Sequence, residues 1–328
     1  MRRKARLLAA AASIVFSLAV GGPARAATAA EASIAAQASI AIAGDNHGFR
    51  PVSARLSRPG TVVATFQGPL GTIRLAGAPG STVSFAVSPP DAAGRGLIGV
   101  RIGTPATGVP ATGVPAAGVP AAGVPGATAE ATSLADLGVR PAATTPTPAG
   151  GTPWASTCLD INVLGGDVQG SACANVYKKH VNGRDWFLSN EYWASASLTA
   201  WQGPLGLHLQ GVAFETTWRP GNLIYSVAPT TTQSFGTCTP WTVSTSGTNS
   251  GITIGASITG QICPSTLGPW NLRLGANSPS SGAVWTGNVQ GVSNYQGSEG
   301  VQLVHNPPGV PAAWDDYYAI SYCTGICF

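Results

Sequence analysis

The sequence predicts an all-β protein whose main part is a disulfide-stapled antiparallel β-sandwich or barrel. Three observations predict it. Segments after residue 150 alternate apolar and polar residues with the period of a half-buried strand. Turn signals such as Gly165-Gly166 and Asn182-Gly183 separate them. Cysteines fall opposite one another when these segments are folded back into hairpins. No segment has a helical period of useful length.

The chain opens MRRKARLLAAAASIVFSLAVGGPARA. Arg2, Arg3, Lys4 and Arg6 precede an apolar run from Leu7 to Val20, and Ala24-Arg25-Ala26 is a small-x-small site. This is the pattern of a cleaved secretory signal peptide over residues 1–26, so the expected location is extracellular. No other apolar run is long enough to span a bilayer as a helix.

Residues 27–103 read as a small β-rich N-terminal segment. TVVATF (61–66), TIRLA (72–76), STVSFAV (81–87) and LIGVRI (97–102) are separated by Gly-Pro, Ala-Pro-Gly and Pro-Pro-Asp turns. The segment has no Cys, Trp or Tyr. Its own core would be thin, and it is expected to need the rest of the chain or a partner. Residues 104–150 read as a linker. Gly-Val-Pro recurs at 108, 113, 118 and 123 and is followed by a Thr/Pro stretch. Proline at every fifth position blocks helix and sheet, which leaves a semi-extended spacer.

All six Cys, nine Trp and seven Tyr fall in the main domain, 151–328. An even number of cysteines in an exported chain reads as disulfides. In LDINVL-GG-DVQGSA, pairing across Gly165-Gly166 sets Val163 opposite Val168 and Cys158 opposite Cys173. In CTPWTVSTSGTNSGITIGASITGQIC, pairing sets Val243 opposite Ile258, Trp241 opposite Gly260 and Cys238 opposite Cys263. A one-residue slip would turn either apolar face outward. Cys323 and Cys327 remain; the CTGIC spacing permits a local bond, and exchange with the first pair stays open. A third hairpin at Asn182-Gly183 would set His180 opposite Asp185. A bulge is expected near Gly211, where the alternation of 205–218 breaks phase.

The net charge of +4 comes from the leader: without its five basic residues, twelve basic stand against thirteen acidic. That balance excludes the basic footprint of a nucleic-acid or anionic-membrane binder. A nucleophile elbow is absent. His47, His180, His208 and His305 show no metal-ligand spacing, so neither metal nor cofactor is expected. The chemistry-bearing feature is the aromatic surplus. Trp193 and Trp201 share one strand face with Ser195, Ser197 and Thr199, and indoles among hydroxyls can stack sugar rings. The expectation is therefore a non-enzymatic extracellular or envelope-associated module whose ligand is polysaccharide or an envelope protein. A glycan hydrolase is the alternative, with Glu191 and Glu215 as its carboxyl pair. A self-assembling β protein is a third reading, and the oligomeric state is left open.

Overall fold

The computed structural model describes residues 40–44, 46–58, 61–105, 152–181, 185–198, 206–235, 239–249, 252–262, 265–290 and 296–325. The N-terminal strands are β1 (Ala41–Ile42), β2 (Arg50–Arg58), β3 (Thr61–Gly68), β4 (Gly71–Gly77), β5 (Thr82–Ser88) and β6 (Arg95–Gly103). After the linker come β7 (Thr152–Val163), β8 (Val168–Val181), β9 (Asp185–Leu198), β10 (Leu207–Trp218), β11 (Leu223–Ala228) and β12 (Gln233–Phe235). The last are β13 (Thr239–Asn249), β14 (Ile252–Ile262), β15 (Ser265–Arg273), β16 (Ser280–Gln290), β17 (Gln296–Asn306) and β18 (Trp314–Thr324). No α-helix occurs among the described residues.

Two eight-stranded sheets face each other. Sheet A runs β1-β5-β6-β18-β10-β16-β15-β12, and sheet B runs β11-β17-β9-β8-β7-β4-β3-β2. All pairings are antiparallel except the short β1–β5 contact. Among the described residues neither sheet closes on itself, so the architecture is sandwich-like and not a closed barrel. The hairpin β13–β14 is a separate two-stranded sheet.

The break in composition at 104–150 is not a break in the fold. β4 pairs with β7 and β6 pairs with β18, so the N-terminal strands extend both sheets of the main domain. Phe66, Leu75, Phe85, Ile98 and Val100 share one core with Leu159, Tyr192, Phe214, Trp285 and Tyr318. At the end of β6, the Thr104 hydroxyl donates to the Trp314 carbonyl (2.7 Å) and accepts from the Trp314 N–H (3.0 Å). A segment too small to bury its own apolar face has buried it against the larger one.

Local registers follow the alternation. Val163 pairs with Val168 and Cys158 with Cys173, which form a disulfide. The turn between them is longer than two residues: Leu164–Gly166 form a 3-10 turn closed by the Asp167 N–H on the Leu164 carbonyl (3.2 Å). Gly165 and Gly166 supply the positive φ angles of 70° and 101° that this turn requires. Trp241 pairs with Gly260 and Val243 with Ile258. The flanking Cys238 and Cys263 lie outside the described residues, as does Cys327. Cys323 is disulfide-bonded, to a cysteine outside them. The expected bulge appears between Leu209 and Gly211 in both pairings of β10. The Asn182-Gly183 hairpin differs by one step. Its last pair is Val181 with Asp185, and His180 pairs with Trp186, because three residues rather than two lie in the loop.

β2 carries no apolar alternation that would mark it in sequence. It is the free edge of sheet B, and it holds Pro51, Arg50, Arg55, Arg58 and two register shifts. Proline, charge and bulges on an edge oppose pairing with another chain.

Candidate functional site

The carboxylates Glu191 and Glu215 do not share a cleft. Their neighbours Tyr192 and Phe214 stack on each other between the sheets, with ring centroids 5.2 Å apart. Strand alternation therefore turns Glu191 to the outer face of sheet B and Glu215 to the outer face of sheet A. A pair of carboxyls acting on one glycosidic bond must lie on the same side of one cleft. Trp193 shares the outer face of sheet B with Glu191 and is only 2% exposed. The hairpin β13–β14 packs against β17, β9 and β11, the part of sheet B whose inner side is already taken by sheet A. Trp201 lies outside the described residues.

A different aromatic group occupies the outer face of sheet A. Reading across the strands, Trp270 pairs with Gly282, Gly282 with Glu215, Glu215 with Tyr317, Tyr317 with Arg101 and Arg101 with Ser84. Trp270 and Tyr317 are half-buried, and their rings meet at 5.6 Å with a tilt of 33°. The Arg101 guanidinium carbon stands 5.3 Å from the Tyr317 ring centre, within cation–π range. Glycine makes this possible where a side chain would obstruct. A Cβ at Gly99 would come within 2.5 Å of the Tyr317 hydroxyl, so the phenol can lie along β6 only over a bare backbone. Ala213, Ala319 and Ala86 keep the adjoining row low.

Glu215 lies in this row, 5% exposed. Its Oε1 accepts from the Thr217 hydroxyl (3.0 Å) and its Oε2 from the Asn271 amide (2.8 Å). Partial burial pushes the Tyr317 phenol up, Arg101 draws it down, and the nearby Glu215 charge pushes it up again. The phenol is therefore a neutral donor at ordinary pH. Half-exposed rings flanked by a fixed carboxylate, an amide and a guanidinium offer apolar faces beside both donors and acceptors.

Between the sheets lies a buried polar network. The Asn190 amide donates to the Thr216 hydroxyl (2.9 Å), which donates to Asp316 Oδ1 (2.7 Å). The Trp314 indole donates to Asp316 Oδ2 (3.0 Å), and the Trp218 indole donates to Gln302 Oε1 (2.7 Å). Gln302 in turn donates to the Ser281 carbonyl and hydroxyl, each at 2.8 Å. Burial pushes the Asp316 carboxyl up to about 7, against the pull of its hydroxyl and indole donors. Every member of this network is buried, which is the mark of a structural role.

On the outer face of sheet B, one row runs Glu299, Trp193, Cys173, Cys158, and the next runs Val301, Glu191, Asn175, Ser156. Burial pushes the Glu299 carboxyl up to about 8. The Trp193 indole N–H, the Asn175 amide nitrogen and Glu299 Oε2 are buried without a hydrogen-bond partner. Among the described residues, no group of three or more His, Cys, Asp or Glu could hold a metal ion. Neither the Trp270–Tyr317 row nor Glu299 carries a signal in the sequence. Trp270 and Tyr317 are far apart in the chain and meet only through the order β15-β16-β10-β18, which no local pattern encodes.

No family model matches the chain, and no curated protein is similar to it.

Proposed function

We infer that the chain is an exported polysaccharide-binding protein that holds its ligand on the outer face of sheet A. The carrying observation is the Trp270–Tyr317 pair with Arg101 beside it and Glu215 fixed by Thr217 and Asn271. Pyranose rings present an axial C–H face that stacks on aromatic carbon, while their hydroxyls need donors and acceptors at the rim. The row supplies both along one sheet face, which suits an extended chain. Export is supported by the leader pattern and by the Cys158–Cys173 disulfide. Among the described residues, no helix is long and apolar enough to cross a membrane.

The test is retention of the mature protein on insoluble chitin, cellulose and peptidoglycan, with soluble sugar assayed in the same tubes. Retention without product is expected on at least one of them. Trp270→Ala and Tyr317→Ala should each weaken it about tenfold, the loss of one stacking contact worth ~1.4 kcal/mol. Release of soluble sugar would instead support a hydrolase. Retention unchanged in both variants would remove the outer face of sheet A as the site.

A further inference from the structure

The near-neutral total charge hides a segregation. Residues 46–90 hold four arginines, Arg50, Arg55, Arg58 and Arg74, and no Asp or Glu. Three of the four lie on β2, the free edge of sheet B. Positions 50, 55 and 58 differ in parity, so a regular strand would turn Arg55 to the face opposite Arg50 and Arg58. The two register shifts of β2 undo this. With them, Arg50 pairs with Gln67, Ser53 with Thr65, Arg55 with Val63 and Arg58 with Thr61. The alternate residues of β3, Val62, Ala64 and Phe66, lie in the core. Paired residues share a face, so the three arginine positions all fall on the outer face of sheet B. Arg74 lies between the core residues Ile73 and Leu75 and pairs with Thr65, which places it on the same face.

Protection of an edge strand does not account for this arrangement. It asks only for charge on the edge, of either sign and on either face. Here the sign is uniform, the bulges gather the charges on one side, and Arg74 stands on β4, two strands inside the edge. β2, β3, β4 and β7 hold one carboxylate between them, Asp160, and it faces Arg74 as its partner on β7. Arg50 and Arg55 are exposed, and among the described residues neither has a carboxylate partner. Their β3 partners, Gln67 and Val63, are four residues apart, which sets the two arginines about 13 Å apart along the edge.

The groups between them are polar and uncharged. Ser53 and Thr65 form the intervening row, and the Thr72 hydroxyl donates to Gln67 Oε1 (2.6 Å), which leaves the Gln67 amide nitrogen as a donor. Guanidinium forks match the two oxygens of a carboxylate. Hydroxyls and a carboxamide match sugar hydroxyls, which both donate and accept. A polyphosphate would use the forks and leave these groups idle.

We propose that the β2 edge of the outer face of sheet B is a second binding site, for a linear glycan that carries carboxylates. The glycan lies along β2, with acid groups on Arg50 and Arg55 and hydroxyls on Ser53, Thr65 and Gln67. The site is separate from the Trp270–Tyr317 row, which belongs to the other sheet.

The experiment is affinity electrophoresis of the mature protein through gels containing alginate, polygalacturonate, polyphosphate or neutral dextran. Alginate or polygalacturonate should retard it, dextran should not, and added salt should release it. Arg50→Gln and Arg55→Gln should each weaken the binding about tenfold, the loss of one charge-assisted contact. Both side chains are exposed, so unchanged thermal unfolding should verify that the variants fold. Arg95→Gln makes the same change of charge at an exposed site on sheet A and should leave binding as in wild type. A Trp270→Ala, Tyr317→Ala background should leave it unchanged too. The proposal is overturned if neither polyuronate retards the protein, or if polyphosphate binds more tightly than both. It is equally overturned if Arg95→Gln weakens binding as much as Arg50→Gln and Arg55→Gln, or if the response disappears with the Trp270–Tyr317 pair.

Discussion

Stability should fall as pH rises from about 4 to 8, and the buried Asp316 should account for about half of the fall. Burial raises its carboxyl from 3.8 to about 7 in the folded protein. Below the unfolded value both states hold the proton, and the full stability is present. Above it the unfolded chain releases its proton while the folded one keeps it, so each pH unit costs up to about 1.4 kcal/mol. The loss reaches about 4 kcal/mol as pH passes the folded value and then levels off. Glu299, raised from 4.5 to about 8 by burial, has the same sign and adds a loss of similar size. The assay is denaturant unfolding of wild type, Asp316→Asn and Glu299→Gln at each pH unit from 4 to 9. Asp316→Asn should start lower, by about 1–3 kcal/mol, because an amide nitrogen would face either the Thr216 hydroxyl or the Trp314 indole, both donors. Its curve should then decline about half as steeply as wild type, cross it between about pH 4.5 and 6, and lie about 1–3 kcal/mol above it past pH 7. A wild-type curve that is flat or rising over this range would refute the reasoning, as would an Asp316→Asn curve parallel to wild type.

Further outcomes are expected from the packing. Replacing both Cys158 and Cys173 by Ala should lower stability by about 3 kcal/mol, the entropy of a closed loop spanning a separation of 15 residues, read from equilibrium unfolding. A protease site placed within 106–150 and then cut should leave the two fragments co-eluting on size exclusion, because β4–β7 and β6–β18 hold them together; separation would show that the two parts fold apart. Residues 151–328 expressed alone should lack cooperative unfolding for the same reason. Gly170→Ala should cost about 1–3 kcal/mol, since its Cβ would press on Tyr318 and Ile320 and lie 3.1 Å from the Ser195 carbonyl.

Much of the strand content was legible because it is local. Alternation fixed Val163 opposite Val168 and Val243 opposite Ile258, since a slip of one would expose every apolar side chain. β3 to β6 were visible as short runs between turns, but their partners were not. That β4 lies beside β7, across the linker, is a consequence of where apolar area can be buried, and no residue in either strand announces it. β2 was missed because edge chemistry looks like loop chemistry: three arginines and a proline. The candidate sites divide in the same way. Trp193 stood out because indole alternated with serine, yet alternation cannot say which side receives a cover. Trp270 and Tyr317 gave no shared signal. The one local hint was small residues recurring on their neighbours, Gly282 and Gly99, where a Cβ would meet Glu215 or Tyr317.

The placement of β18 has a temporal consequence. β18 sits inside sheet A, between β6 from the N-terminal segment and β10 from the middle. The two halves of sheet A cannot join until residues 314–324 have been made, so until then β1-β5-β6 and β10-β16-β15-β12 are separated by an open seam. Contacts this distant in sequence form slowly, because the loop they close must be ordered before they contribute. A pathway that handles unfolded chains therefore has the interval before β18 is made in which to capture this one.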